Sequence, residues 1–223
     1  KFSNNVLNYG SMSIPREVRT TAGTREKLLA AAEELFLEKG YDGVSVRDLT
    51  ERAGVNVAAI NYHFQGKQNL YREFFRRRLT ESVSQKTDAL LSVVPAEGKP
   101  GLKEVIRMFV REFLEDMLSS RESEQFLNIF FSELSGKGTA TDILFEEGVY
   151  PMHRVLLDAF RRARPDMPET KLVLSMASIF GQMVHFVRAR ELVKRLTRRA
   201  YSREFIDEIV EHITDFSLKG MGE

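Results

Sequence analysis

The 223-residue chain contains no cysteine and no tryptophan. Without cysteine there is no disulfide, no thiolate nucleophile and no cysteine-bearing zinc site. The four histidines are scattered without ligand spacing, so no metal and no cofactor is expected. An excess of charge is missing too. The 33 Lys and Arg against 32 Asp and Glu leave a net +1, which points to local patches rather than a broad basic surface. No signal-peptide pattern and no apolar run of membrane-spanning length is read, so a cytoplasmic protein away from membranes is expected. Strand-like alternation is absent. So are the nucleophile elbow, the Walker loop, the zinc-protease histidine pair and the dinucleotide fingerprint. Carboxylate pairs such as Glu33-Glu34 and Glu146-Glu147 are sequence neighbours that diverge around a helix. Catalysis is not expected.

What is present is helical. The class read from the pattern is all-α, with a flexible arm over 1–23, a three-helix helix-turn-helix domain over 24–70 and a helical ligand-binding and dimerisation domain over 71–223. The arm is polar and carries Pro15, Gly10 and Gly23; Arg16, Arg19 and Arg25 near its end either touch DNA or belong to a solvated tail. Leu28, Ala32, Leu35 and Phe36 form one apolar face of a first helix over 24–39. From Arg16 to Arg78 there are 12 Lys/Arg and 9 Asp/Glu, a modestly basic front end.

The most specific stretch is 45–67. Ser45 and Asp48 form a capping box, with Val44 and Leu49 as its staple, and open a short helix ending near Ala53. Gly54 suits a left-handed turn. Asn56 caps a second helix, Val57 to Phe64, whose Ile60 and Phe64 share an inward face. Its outer N-terminal face is Val57, Ala58, Ala59 and Asn61. The first three offer methyl contacts to thymine without hydrogen bonds, and Asn61 can bond a base edge or phosphate. Tyr62, His63 and Lys67 suit phosphate oxygens beside a helix N-terminus. Ser45 and Arg47, at the start of the preceding helix, complete the DNA-facing set. The alternative is a helical interaction or adaptor protein that has lost specific DNA binding, a reading fed by the apolar Val57-Ala58-Ala59 run.

Residues 24–41, 46–55 and 62–71 together resemble the N-terminal domain of TetR-type transcriptional regulators. Many members carry Tyr where this chain has Asn61, and Ser or Thr where it has Ala59, so the usual contacts at those positions are altered here. The run 56–64 and Ile-Phe-Gly-Gln at 179–182 resemble a branch with a CerR-like C-terminal domain. The resemblance implies a homodimer on a palindromic double-stranded operator, usually a repressor released by a small-molecule effector.

Helices are expected over 67–91, 102–119, 123–134, 141–164, 169–195 and 203–218, with a loop at Pro95 to Gly101. Their Met- and Phe-rich interior either fills a core or adapts to an apolar ligand. The candidate pocket residues are Met108, Phe109, Phe113, Phe130, Met152, Met176, Gln182, Met183 and His185. The segment 172–187 is apolar nearly all round and demands cover on every side. Together with the wide apolar face of the last helix, it predicts a dimer interface of Phe180, Val184, Val187, Phe205, Ile209, Ile213 and Phe216.

Overall fold

A computed structural model describes residues 16–118, 120–136 and 138–222, with side chains from Gly23 onward. It divides into two compact units, Lys1–Leu70 and Tyr71–Glu223. The first holds α1 (Arg16–Lys39), α2 (Val46–Ala53) and α3 (Ala58–Phe64). The long α4 (Lys67–Val93) follows. The second unit continues with α5 (Leu102–Leu118), α6 (Arg121–Leu134) and α7 (Thr141–Ile143), a π-helical turn (Leu144–Val149), then α8 (Tyr150–Ala163), α9 (Glu169–Arg188), α10 (Arg190–Thr197) and α11 (Arg203–Gly220). No strand occurs among the described residues.

Two helices depart from the expected bounds. The backbone of α1 starts at Arg16, so 16–23 is helical rather than a loose arm, and Gly23 lies within the helix at a cost of about 1 kcal/mol against alanine. Residues 1–15 and the side chains of Arg16 and Arg19 lie outside the described part. The helix expected over 169–195 breaks at Ala189, where ψ is 19°. A continuous helix would give the Phe186 carbonyl to Arg190. Here the Tyr201 hydroxyl donates to it at 2.8 Å. The break lets Val193 turn back into the core.

In the first unit, Leu28, Ala32 and Phe36 of α1 are fully buried, with Leu49 of α2 and Ile60 of α3. In the second, α5 is central and packs against α6, α8, α9 and α11. Its Leu102, Val105, Ile106, Val110, Phe113, Leu114 and Met117 recur at three- and four-residue spacing and all face the core. Each contributes roughly 1.5–3 kcal/mol by leaving water. Along its margin, Lys103, Arg107 and Arg111 pair with Asp215, Glu211 and Asp207, setting α5 antiparallel to α11. The helix α9 is long and apolar enough to cross a bilayer by length and composition. However, Leu172, Met176, Ile179, Met183 and Val187 place one of its faces in the protein's own core.

The polar centre of the second unit is Glu133 at the end of α6, only 1% exposed. It accepts hydrogen bonds from the Tyr71 hydroxyl at 2.7 Å, the Ala140 amide at 2.8 Å and the Thr141 hydroxyl at 3.1 Å. Nearby, Arg72 forms a two-pronged pair with Asp142, and Arg76 bonds Glu147. The first turns of α4 in this unit are thereby fastened to α7 and the π turn. From that turn into α8 the inward residues fall four apart, at Leu144, Gly148, Met152 and Leu156. A wider turn holds that spacing on one side with less drift than an α-helix. A side chain on Gly148 would start 3.0 Å from both Leu79 methyls, so the backbone itself makes this contact.

Glu133→Leu leaves two buried donors, the Tyr71 hydroxyl and the Ala140 amide, without their acceptor, while the half-buried Thr141 hydroxyl keeps the Glu133 and Gly138 carbonyls. It should cost about 3 kcal/mol or more in urea unfolding of the full chain, with Glu133→Gln recovering part of the loss. The bond from Arg72 holds the Asp142 carboxyl down at about 2, against an ordinary 3.8. Because the folded value is the lower one, the pair's stabilisation is complete above 3.8 and is lost as pH falls through about 2. A carboxyl chemical-shift titration should find that midpoint in the native protein and a value near 3.8 with Arg72→Gln.

Candidate nucleic-acid interface and interior cavity

The helix-turn-helix is built by local chemistry. The Ser45 hydroxyl accepts the Asp48 amide at 3.1 Å, and the Ser45 amide donates to the Asp48 carboxylate at 2.8 Å. The Ser45 hydroxyl also donates to the Asp48 carboxylate at 2.6 Å, and this bond, followed by that from the Ser45 amide, holds the Asp48 carboxyl below its ordinary range. Gly54 closes α2 in the left-handed region at φ 63°. The Asn56 carboxamide oxygen accepts the Ala58 amide at 2.9 Å, and Val57 already has helical dihedrals, so Asn56 is the physical cap.

This fixes which side of α3 is free. Ile60 and Phe64 are buried, and the Arg25 guanidinium lies 5.1 Å from the Phe64 ring centroid. Val57, Ala58, Asn61 and Tyr62 are exposed, Tyr62 at 76%, while Ala59 and His63 are half-buried. The Tyr62 and His63 rings meet edge to face at 4.9 Å. Gln65 is left-handed at φ 60°, Gly66 has φ 129°, and Lys67 then opens α4. The Lys67 ammonium rests 4.1 Å above the Tyr41 ring, a contact that positions it. Arg47 is exposed and bonded to Glu51 at 2.6 Å.

The chain matches the family model described as bacterial regulatory proteins, tetR family, over residues 28–74. It matches the model for the C-terminal domain of the HTH-type transcriptional dual regulator CecR over 102–221. The chain belongs to the TetR family. Its branch is the CecR type, which replaces the CerR label. It is similar to CecR of Shigella flexneri, 23% identical over 215 residues, covering 89% of this chain and 93% of that protein. The probable regulator YttP of Bacillus subtilis is 43% identical over 56 residues, 23% of this chain and 27% of YttP. Only about a quarter of YttP is thus spanned. A solved structure from Mesorhizobium loti, described as a TetR-family transcriptional regulator, shares the fold with a TM-score of 0.64 at 16% identity, over 89% of this chain and 96% of that one. The chain thus carries both parts of such a regulatory protein, the N-terminal domain over 28–74 and the CecR-type C-terminal domain over 102–221.

Within its second unit, this TetR-family chain forms a partly open cavity of about 360 Å³. Of the candidate pocket residues, Phe109, Phe113, Phe130, Met152 and Met176 line it. Met108, Gln182, Met183 and His185 do not. On α9 the cavity takes Val173, Met176, Ala177 and Phe180, one face at spacings of three and four. Met183 continues inward but packs fully buried in the core, Gln182 lies 3.4 Å from the Ser217 hydroxyl, and His185 is exposed. Met108 is half-buried outside the lining. The α4 wall, Leu79, Ser82, Val83 and Lys86, was not anticipated, although its spacing of 3, 1 and 3 is a helical face readable from the sequence. Gly148, Val149 and His153 enter through the π turn and α8. Among the described residues no three His, Asp or Glu side chains gather as a metal site.

The expected dimer interface requires correction. Val187, Phe205, Ile209 and Ile213 are at most 8% exposed within a single protomer, spent on its own core. Phe180 lines the cavity and meets Phe113 edge to face at 5.6 Å. Val184 is half-buried, and Phe216 is 63% exposed.

Lys67→Ala and Tyr62→Phe should weaken binding to all DNA sequences alike. Lys67→Ala should also lower the slope of log affinity against log salt by about one. Filter binding over a salt series on two unrelated duplexes checks this; a changed sequence preference in Lys67→Ala would remove its phosphate role.

Proposed function

We propose that the chain is a cytoplasmic, homodimeric repressor that leaves its operator when a small, largely apolar ligand occupies the cavity. The observation that carries the reading is the exposed N-terminal half of α3, pre-capped by Asn56 and flanked by Tyr62, His63 and Lys67. Methyl contacts from Val57, Ala58 and Ala59, with hydrogen bonding from Asn61, would read the bases, and DNA shape would supply the remainder. Ser45 and Arg47 would meet the backbone from α2.

The cavity supports ligand response because it is apolar, walled by adaptable Phe and Met side chains, and of ordinary ligand-site size. Ligand would act by population shift. Turning a 99:1 preference for the DNA-competent state into 1:99 requires about 10⁴-fold tighter binding to the released state. The continuous α4, which begins at Lys67 and later forms the cavity wall, is the covalent route between the two events.

The partner surface is reassigned to Leu174, Ser178, Gly181 and His185 of α9 with His212 and Phe216 of α11. These are exposed, and Leu174 and Phe216 are over 60% open. Gly181 has no atom within 4 Å of where a side chain would begin, which leaves room for a second helix. A twofold pair of such faces matches a palindromic site.

Footprinting on the DNA upstream of the chain's own gene should show a protected palindrome at moderate salt. Phe216→Asp should yield monomers in sedimentation and lose the footprint. Binding of genomic fragments without sequence preference, or none at all, would favour the adaptor reading, for which the apolar Val57-Ala58-Ala59 run is the supporting feature.

A further inference from the structure

Three polar side chains interrupt the apolar cavity: Ser82, Lys86 and His153. Lys86 carries a full charge on a side chain only 10% exposed. It pairs with Asp116 of α5, whose side chain is 29% exposed, and donates to the Ser82 hydroxyl at 2.5 Å. Ser82 in turn donates to the same Asp116 oxygen at 2.9 Å. The arrangement is asymmetric: Lys86 and Ser82 line the cavity, whereas Asp116 does not. A molecule inside therefore meets the cation, with its counter-ion held behind it.

The geometry points to an amphiphile with an aliphatic tail and a carboxylate head, the head taking the place of Asp116 on Lys86 and Ser82. The site already accommodates a carboxylate, so a ligand carboxylate exchanges like for like. A buried ammonium cannot give up Asp116 without another strong acceptor. A neutral head can occupy the cavity but leaves the pair intact, and a cationic head is repelled. The tail would lie among Phe113, Phe130, Met152 and Met176. Exchange would also cut the ionic tie between α4 and α5, so recognition of the head and loosening of α4 are one event. Asp116, being the more exposed partner, is the one able to turn toward water.

This proposal rests on the reading of the cavity as an effector site, and calorimetry on the full chain separates the two. The probes are decanoate, 1-decanol and decyltrimethylammonium below their aggregation limits. Decanoate should bind about tenfold tighter than decanol, as a charge-assisted hydrogen bond requires, and the cation more weakly than either. Lys86→Met should reduce decanoate to the affinity of decanol while leaving decanol unchanged. Asp116→Asn should tighten decanoate by removing its competitor, and this variant decides the matter alone if Lys86→Met does not fold. Equal binding of decanoate and decanol, a preference that survives Lys86→Met, or no gain in Asp116→Asn overturns the carboxylate assignment while leaving the cavity reading standing. Binding of none of the three probes removes the cavity reading and this proposal together.

Discussion

A carboxylate taken out of water must be fully satisfied or it opposes the fold, and Glu133 is satisfied by three donors from two different parts of the chain. One is the hydroxyl of Tyr71 on α4. The others, Ala140 and Thr141, start the next helical segment. The connection after α6 has little apolar content of its own, so this polar centre fixes where α7 begins. The position of α7 determines where the π turn lies, and the π turn brings Gly148 against Leu79. The cavity wall is therefore the last link in a sequence of constraints that starts at one buried side chain.

The helix α4 shows how one stripe of residues changes chemistry along its length. Arg72 and Arg76 are ionic partners of Asp142 and Glu147, while Leu79 and Val83 are apolar wall. Lys86 is ionic again, paired to Asp116. These positions are spaced 4, 3, 4 and 3, so they share one face. An apolar patch between two ionic fastenings suits a surface that must hold an apolar guest without losing the register of the helix.

The helix-turn-helix was legible because its determinants are local. Ser45, Asp48, Gly54 and Asn56 act on backbone groups within a few residues, and sequence neighbours suffice to read them. The aromatic and methionine side chains of α5 and α8 were legible as an interior, but which interior was not. Phe113 and Met183 have the same composition signal, yet one meets the cavity and the other the close-packed core. The error at the dimer surface has the same origin. The periodicity of Phe205, Ile209 and Ile213 reports that a face is covered and is silent on whether the cover is α5 of the same chain or a second copy. The break at Ala189 depended on a hydroxyl twelve residues later, beyond any local signal.

The π turn also holds a residue in reserve. Its six residues, Leu144 to Val149, sweep about the arc that roughly five take in an α-helix. Removing one of them would let the turn close as an ordinary α-helix and leave Met152 and His153 facing the cavity. A second deletion would find no such slack and would rotate each residue beyond it by about 100° about the helix axis. The wall is thus buffered against one change of length and exposed to the next.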